Sequence, residues 1–278
     1  MGYGGRRAGG GITFIIALLM AGFALFRYYG STPQTNPVTG EKQRVADIRP
    51  EQEIALGLQA APEMMQQFGG RSQNERAARS VEGVGQRIVQ NSKAGQSPYK
   101  FDFHLLDDNK TVNAFALPGG QIFVTEALAR RLNTEGELAG VLGHEIGHVV
   151  GRHGAEHIAK QQLAQGLTGA AVLASYDPNN PSSQRNAAIA MVIGNLINMK
   201  FGRDDELESD RLGVRFMAEA GYDPRSMIRV MEVLKAAGAG GRQPEFFSTH
   251  PNPENRIARI KQAIQDVFPS GVPEGLKR

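Results

Sequence analysis

One run of residues, Thr134 to Val150 (TEGELAGVLGHEIGHVV), constrains this chain more than any other. Thr134 followed three residues later by Glu137 is a capping-box pattern, so a helix starts there. Leu142, Ile146 and Val149 surround its second half with apolar side chains, so the fold has to bury it. Residues four apart on a helix share a face, and His144 and His148 can each aim a ring nitrogen at one ion. Glu145, next to the first histidine, can reach a water on that ion.

Composition narrows what such an ion can be held by. The 278 residues include six histidines and no cysteine. That removes disulfides, iron–sulfur clusters, a thiol nucleophile and any zinc site built from thiolates, and leaves imidazole and carboxylate as ligands. Apolar residues make up 41% of the chain, enough for a substantial core. With 31 Lys plus Arg against 28 Asp plus Glu, and no stretch that concentrates basic and aromatic residues, nucleic acid is not an expected partner.

Zinc needs a third protein ligand. An extended H-E-x-x-H-x-x-G-x-x-H motif would put a histidine at position 154, where this chain has Gly154. His153 is one residue out of register, and the helix is expected to run straight on, which excludes that class. His153 and His157 read as solvated helix residues, and His104 attracts no role. The remaining option is two histidines and a downstream glutamate. The segment FGRDDELESD (201–210) offers several acids, and spacing alone does not choose among them.

The rest of the chain divides by composition. Residues 1–29 hold nineteen uncharged residues between Arg7 and Arg27, about 28 Å as a helix, which reads as an N-terminal membrane anchor. A cleaved signal sequence is the competing reading, although no Ala-x-Ala site follows the run. Residues 30–49 are polar and rich in Pro, Gly and Thr, as in a tether. Helices are expected over Glu51 to Gln67 and near Asn74 to Asn91. Strands are expected at Tyr99 to Leu106, with Phe101, Phe103 and Leu105 on one face, and at Val112 to Leu117 and Gln121 to Thr125 around Pro118-Gly119-Gly120. The apolar stretches Leu163 to Ala174 and Ala187 to Met199 are expected to pack as a hairpin over the site. The fold class is therefore α+β, predominantly helical, with a small sheet beside the histidine helix. The principal domain runs over 50–268, with a tail at 269–278.

Four segments, NAFALPGGQIFVTEAL (113–128), ELAGVLGHEIGHVVGRH (137–153), FGRDDELESDRLG (201–213) and STHPNPENRIARI (248–260), resemble metallopeptidase family 48, the gluzincin family of HtpX, BepA and the CAAX prenyl proteases. They occur in the family's order and span most of residues 50–267. The resemblance is to single-anchor or periplasmic members without a tetratricopeptide domain. It implies a zincin-like fold and one Zn2+ per chain on His144, His148 and Glu206, with Glu145 as general base. It also implies Asp210 as an outer partner of a ligand histidine, and His250 and Arg256 near the reacting carbonyl. Ser209 departs from the alanine common in the family. His250, between a Gly-rich stretch and Pro251, is expected either to stabilise the oxyanion or to block the metal's open position.

Peptide binding is expected at the strand of Asn113, Ala114 and Phe115, since a free sheet edge holds an extended chain through main-chain hydrogen bonds. The function that follows is a zinc metalloendopeptidase in envelope protein quality control, acting on unfolded or membrane-associated polypeptides. The expected location is the bacterial inner membrane with a periplasmic catalytic domain, or the periplasm after signal cleavage. The alternative is a zinc-stabilised chaperone or scaffold that binds such chains without cutting them.

Overall fold

The structure is a computed structural model. It describes residues 9–45, 48–173, 200–238, 244–251 and 255–278, with side chains from 15 onward and, in the helix starting at His153, as far as 165. Most of the expected hairpin of Leu163 to Ala174 and Ala187 to Met199 lies outside the described residues. So do residues 239–241 of the Gly-rich stretch ahead of His250.

In chain order the elements are α1 (Gly9–Tyr29), β1 (Gln34–Thr35), β2 (Lys42–Gln43), α2 (Pro50–Gln67), α3 (Glu75–Asn91), β3 (Asp102–Leu106), β4 (Ala114–Ala116) and β5 (Gln121–Thr125). Then follow α4 (Glu126–Ala129), α5 (Glu135–Val150), α6 (His153–Leu173), α7 (Arg203–Glu219), α8 (Ser226–Ala237), α9 (Phe246–Thr249) and α10 (Arg256–Val267). The fold is α+β and predominantly helical, as the sequence reads.

Local chemistry explains the boundaries. Pro50 opens α2, where its missing N–H costs nothing. Asn74 caps α3 by accepting from Ala77 N–H at 3.2 Å. Val81, Val84 and Ile88 then fall on one buried stripe of α3 at three- and four-residue spacing. This stripe meets the three-stranded sheet, whose order is β3-β5-β4, with β3 parallel and β4 antiparallel to the central β5.

The sheet separates two apolar layers. Phe103, Leu105, Ile122 and Val124 face the larger layer, with Phe101, α3 and α5. Phe115, Leu117 and Phe123 face the smaller one, with Ala60, Ala61 and Met64 of α2. Alternation of period two thus places Phe123 on one face and its neighbours Ile122 and Val124 on the other. His104 also finds its place here: it is buried, stacked on Phe123, with Nε2 2.9 Å from Gln121 Oε1 across the β3–β5 pair.

Two N-terminal expectations change. Residues 30–49 do not run as a free tether, because Asn36 and Gln43 are buried and donate to the carbonyls of Val150 and Gly151 at the end of α5. Among the described residues no helix is long and apolar enough to cross a membrane. A spanning helix is therefore not shown.

The turn between β4 and β5 packs on α2. Gly119 has φ 85°, and a Cβ there would sit 2.4 Å from Ile54 Cα. Gly119→Ala is expected to cost about 1–3 kcal/mol in chemical denaturation, from left-handed strain together with displacement of the turn from α2.

Candidate metal centre

The helix α5 is capped as its sequence implies, with one change. Thr134 Oγ1 accepts from Glu137 N–H at 3.1 Å, but the Glu137 carboxylate reaches back to Asn133 N–H at 2.6 Å, not to Thr134. From Gly136 to Val150 every residue is buried.

The helix does not run on past Val150. Gly151 and Arg152 form a turn in which Arg152 takes φ 57°, the only non-glycine residue with positive φ among the described residues. A buried ion pair holds it there: Arg152 Nε donates to Glu53 Oε1 at 2.8 Å and Nη2 donates to Ile48 O at 2.7 Å. The Tyr99 hydroxyl donates to the same Glu53 oxygen at 3.1 Å. Burial raises the Glu53 pKa even though Arg152 pulls it down. The turn starts α6 directly at His153 and folds that side chain back onto α5. His153 is buried, contrary to the solvated reading, while His157 is half-buried and faces Asp205 at 3.7 Å.

Opposite α5 lies α7, and glycine allows their contact. A Cβ on Gly147 would fall 2.8 Å from Ser209 O, and one on Gly213 would fall 3.1 Å from His144 N. This approach carries Glu206 to the histidine pair. Glu206 Oε2 lies 3.4 Å from His144 Nε2, and Oε1 lies 3.3 Å from His148 Nε2; the two Nε2 atoms are 3.0 Å apart. One turn on, Asp210 Oδ1 accepts from His144 Nδ1 at 2.9 Å. Of the acids in 201–210, the fold therefore turns Glu206 and Asp210 to the pair. Glu208 faces His153.

The C-terminal segment completes the cluster. His250 is fully buried, stacked on Phe246, with Nδ1 3.0 Å from Glu206 Oε1 and 3.3 Å from His144 Nε2. Arg256, at the start of α10, grips Asp210 in a fork, Nε to Oδ2 at 2.7 Å and Nη2 to Oδ1 at 2.9 Å. Its Nη1 faces Glu206 Oε2 at 3.0 Å. All four ligand-type side chains, His144, His148, Glu206 and His250, bring one atom each within 4.8 Å of one another.

Charge balance inside this cluster is unusual. Glu145, Glu206 and Asp210 are three buried carboxyl groups against one guanidinium. Burial opposes ionisation of Glu206 and Asp210. Nearby His250 and His144 nevertheless hold Glu206 well below the usual carboxylate range, and Arg256 holds Asp210 down. Burial and Arg256 act to lower His144, but its bonds to Asp210 and Glu206 prevail and push it up to about 9. His148 is held well below its ordinary value by burial. Glu145 is raised by burial; neither of its carboxylate oxygens has a hydrogen-bond partner among the described residues, and His250 Nε2 lies 3.6 Å from Oε1. Two imidazoles, a carboxylate and a neighbouring carboxylate without a hydrogen bond form a donor set suited to a divalent transition metal, whose charge would offset the surplus of acid.

The strand of Asn113, Ala114 and Phe115 lies at a sheet edge beside α5. Asn113 and Phe115 sit opposite Thr125 and Phe123 in the bonded register, which turns the backbone groups of Ala114 away from β5. Asn113 Oδ1 is buried with no partner. The residues that sequence reasoning missed are His153, Glu208 and the Arg152–Glu53 pair. Arg152 carried no local signal, since only its ion pair with α2 forces its backbone into the left-handed region.

The profile of Peptidase family M48 matches residues 75–264. The β-barrel assembly-enhancing protease of Escherichia coli K12 is 33% identical over 195 residues, 68% of this chain and 39% of that protein. The mitochondrial metalloendopeptidase OMA1 of Schizosaccharomyces pombe is 31% identical over 256 residues, 91% of this chain and 72% of that protein. OMA1 of Arabidopsis thaliana is 35% identical over 159 residues, 57% of this chain and 31% of that protein. The chain thus spans about two fifths of the length of the assembly-enhancing proteases it matches.

The matched region contains both α5 and α7, whose contact the cluster depends on. Gly147→Ala must push these helices apart at a backbone contact. It is expected to lower stability by about 1–3 kcal/mol, seen as a fall of several degrees in Tm.

Proposed function

The chain belongs to peptidase family M48, and from that premise we propose that it is a zinc metalloendopeptidase whose metal is held by His144, His148 and Glu206. One observation carries this reading: the Nε2 atoms of His144 and His148 and the carboxylate of Glu206 converge beside a fully buried Glu145 that has no hydrogen bond among the described residues and only His250 Nε2 near it, 3.6 Å from Oε1. Two imidazoles and a carboxylate are a typical catalytic zinc set. When bound, zinc supplies Lewis acidity and brings the pKa of a coordinated water toward about 7.

The protein's own groups do the rest. Glu145 takes a proton from the attacking water and returns it to the leaving nitrogen, a role worth about 10²- to 10⁴-fold. A carboxylate with no hydrogen-bond partner is free to do both. Asp210 accepts from His144 Nδ1 and so keeps Nε2 bare for the metal. Arg256 offsets the charge of Asp210 and Glu206, and its Nη1 has no hydrogen-bond partner. An extended peptide adds to the edge of β4 at Asn113, Ala114 and Phe115, where main-chain bonding gives affinity with little sequence preference. A buried base beside the metal-binding groups has no use in a scaffold, so Glu145 favours catalysis over the binding-only alternative.

Unfolded or membrane-associated polypeptides suit such an edge. The name of the Escherichia coli relative, an enhancer of β-barrel assembly, supports quality control of envelope proteins, with the catalytic domain on the periplasmic side of a bacterial inner membrane. Most of the exposed large apolar side chains among the described residues lie on α1, from Ile15 to Phe26, with Phe26 75% exposed. This supports α1 as the element that enters the bilayer.

In a casein assay on the full chain, chelation of the metal should abolish cleavage, and Glu145→Gln should reduce it by about 10²-fold or more. Cleavage that survives both treatments would defeat the metal mechanism. His250→Ala separates the two roles for that residue: lower turnover assigns it to the oxyanion, and raised basal cleavage assigns it to blocking the metal.

A further inference from the structure

The helix α7 reaches the histidine pair by a second route. Asp210 bonds His144 directly, but the outer nitrogen of His148 meets no carboxylate. Instead His148 Nδ1 lies 2.9 Å from His153 Nδ1, and His153 Nε2 lies 3.3 Å from Glu208 Oε2. We propose that His153, fixed by Glu208, is a positioning residue that holds His148 in the tautomer and ring orientation needed to present Nε2 to the metal. This rests on the metal reading given above.

The hydrogen bonds fit together in only one sense. Each of the two contacts needs one donor and one acceptor. If His148 Nδ1 carries the proton, it donates to His153 Nδ1, the proton of His153 sits on Nε2, and that N–H donates to the Glu208 carboxylate. The opposite assignment would place a proton on His148 Nε2, where a metal ligand needs a lone pair, and would set the bare Nε2 of His153 against a carboxylate. Glu208, an acceptor when ionised, selects the first arrangement. Ser209 Oγ lies 3.4 Å from His153 Nδ1 and packs beside this contact.

Backbone geometry supports this placement independently. A Cβ on Gly151 would lie 2.5 Å from His153 Nε2, so the ring occupies space that only glycine leaves open. The left-handed conformation of Arg152, held by buried Glu53, turns the chain so that His153 follows the end of α5 and lies against His148. The two ring centroids are 5.0 Å apart and nearly perpendicular. Each ligand histidine thus has its own arm from α7, Asp210 to His144 and Glu208 through His153 to His148.

The experiment measures zinc affinity of the full chain by competition with a chromogenic chelator, and the visible spectrum of its Co2+ form. Loss of an outer partner typically costs 10- to 100-fold in metal affinity. His153→Ala and His153→Leu should both show about that loss and an altered Co2+ spectrum. His153→Gln, which restores an acceptor toward His148, should recover most of the affinity. Leucine fills the same space without an acceptor, so a role in packing alone would be rescued by leucine. If His153→Leu binds zinc like the wild type, the inference is overturned while the metal reading stands. If the wild type itself binds no zinc, the metal reading is what fails. Should the His153 variants not fold, Glu208→Ala at the partly exposed rim decides: a several-fold loss supports the arm, and unchanged affinity overturns it.

Discussion

Where α5 crosses α7 the two backbones meet with almost no side chain between them. Gly143, Gly147 and Gly213 provide the gap, and Ser209 fills what is left. An ordinary helix pair sits 8–10 Å apart at the axes, with side chains interleaved. Here the closer approach lets the short reach of Glu206 and Asp210 span to imidazoles on the opposite helix. The rest of the centre follows from this contact, because both helices are rigid and nearly every group on their shared face is buried. Glycine within a helix costs roughly 0.5–1 kcal/mol relative to alanine. The fold accepts that cost at several positions in return for the crossing.

Burying so much polarity requires that each charged group be answered. The structure does this in layers around the histidines. Arg256 forks onto Asp210 and faces Glu206, so one guanidinium compensates two carboxylates. Arg152 and Glu53 pair on the far side and fix the turn after α5. Glu145 is the exception: among the described residues it has no hydrogen bond and only His250 Nε2 near it, at 3.6 Å, and such a buried carboxylate costs several kcal/mol unless something else offsets it. Such exceptions concentrate where chemistry is done. Taken with the convergence of His144, His148 and Glu206, the exception supports the proposed place of Glu145 at the reacting position.

Much of this was legible in the sequence. The 3.6-residue period and capping pattern placed α5, and the four-residue spacing of His144 and His148 placed the two histidines on one face. Alternation of period two placed Phe101, Phe103 and Leu105 on one side of the sheet. What the sequence could not rank were the acids of 201–210, because Asp204, Asp205, Glu206, Glu208 and Asp210 differ only in their angle around one helix. That angle has meaning only once α7 is packed against α5.

His153 shows the limit most clearly. By pattern it was a histidine out of register on a helix that should continue, and so a solvated one. The tertiary structure stops the helix with an ion pair between residues 99 positions apart, Arg152 and Glu53, and turns His153 inward. Sequence by itself determined the local facts: which segments are helix or strand, which donor chemistry is available without cysteine, and that two histidines share a face. Only the tertiary structure decided which carboxylate meets them, that His250 and Arg256 close the cluster, and which side chains contact the outer nitrogens of the two histidines. The reason is that periodicity and capping act over one or two turns, whereas ligand geometry and charge compensation depend on contacts between elements far apart in the chain.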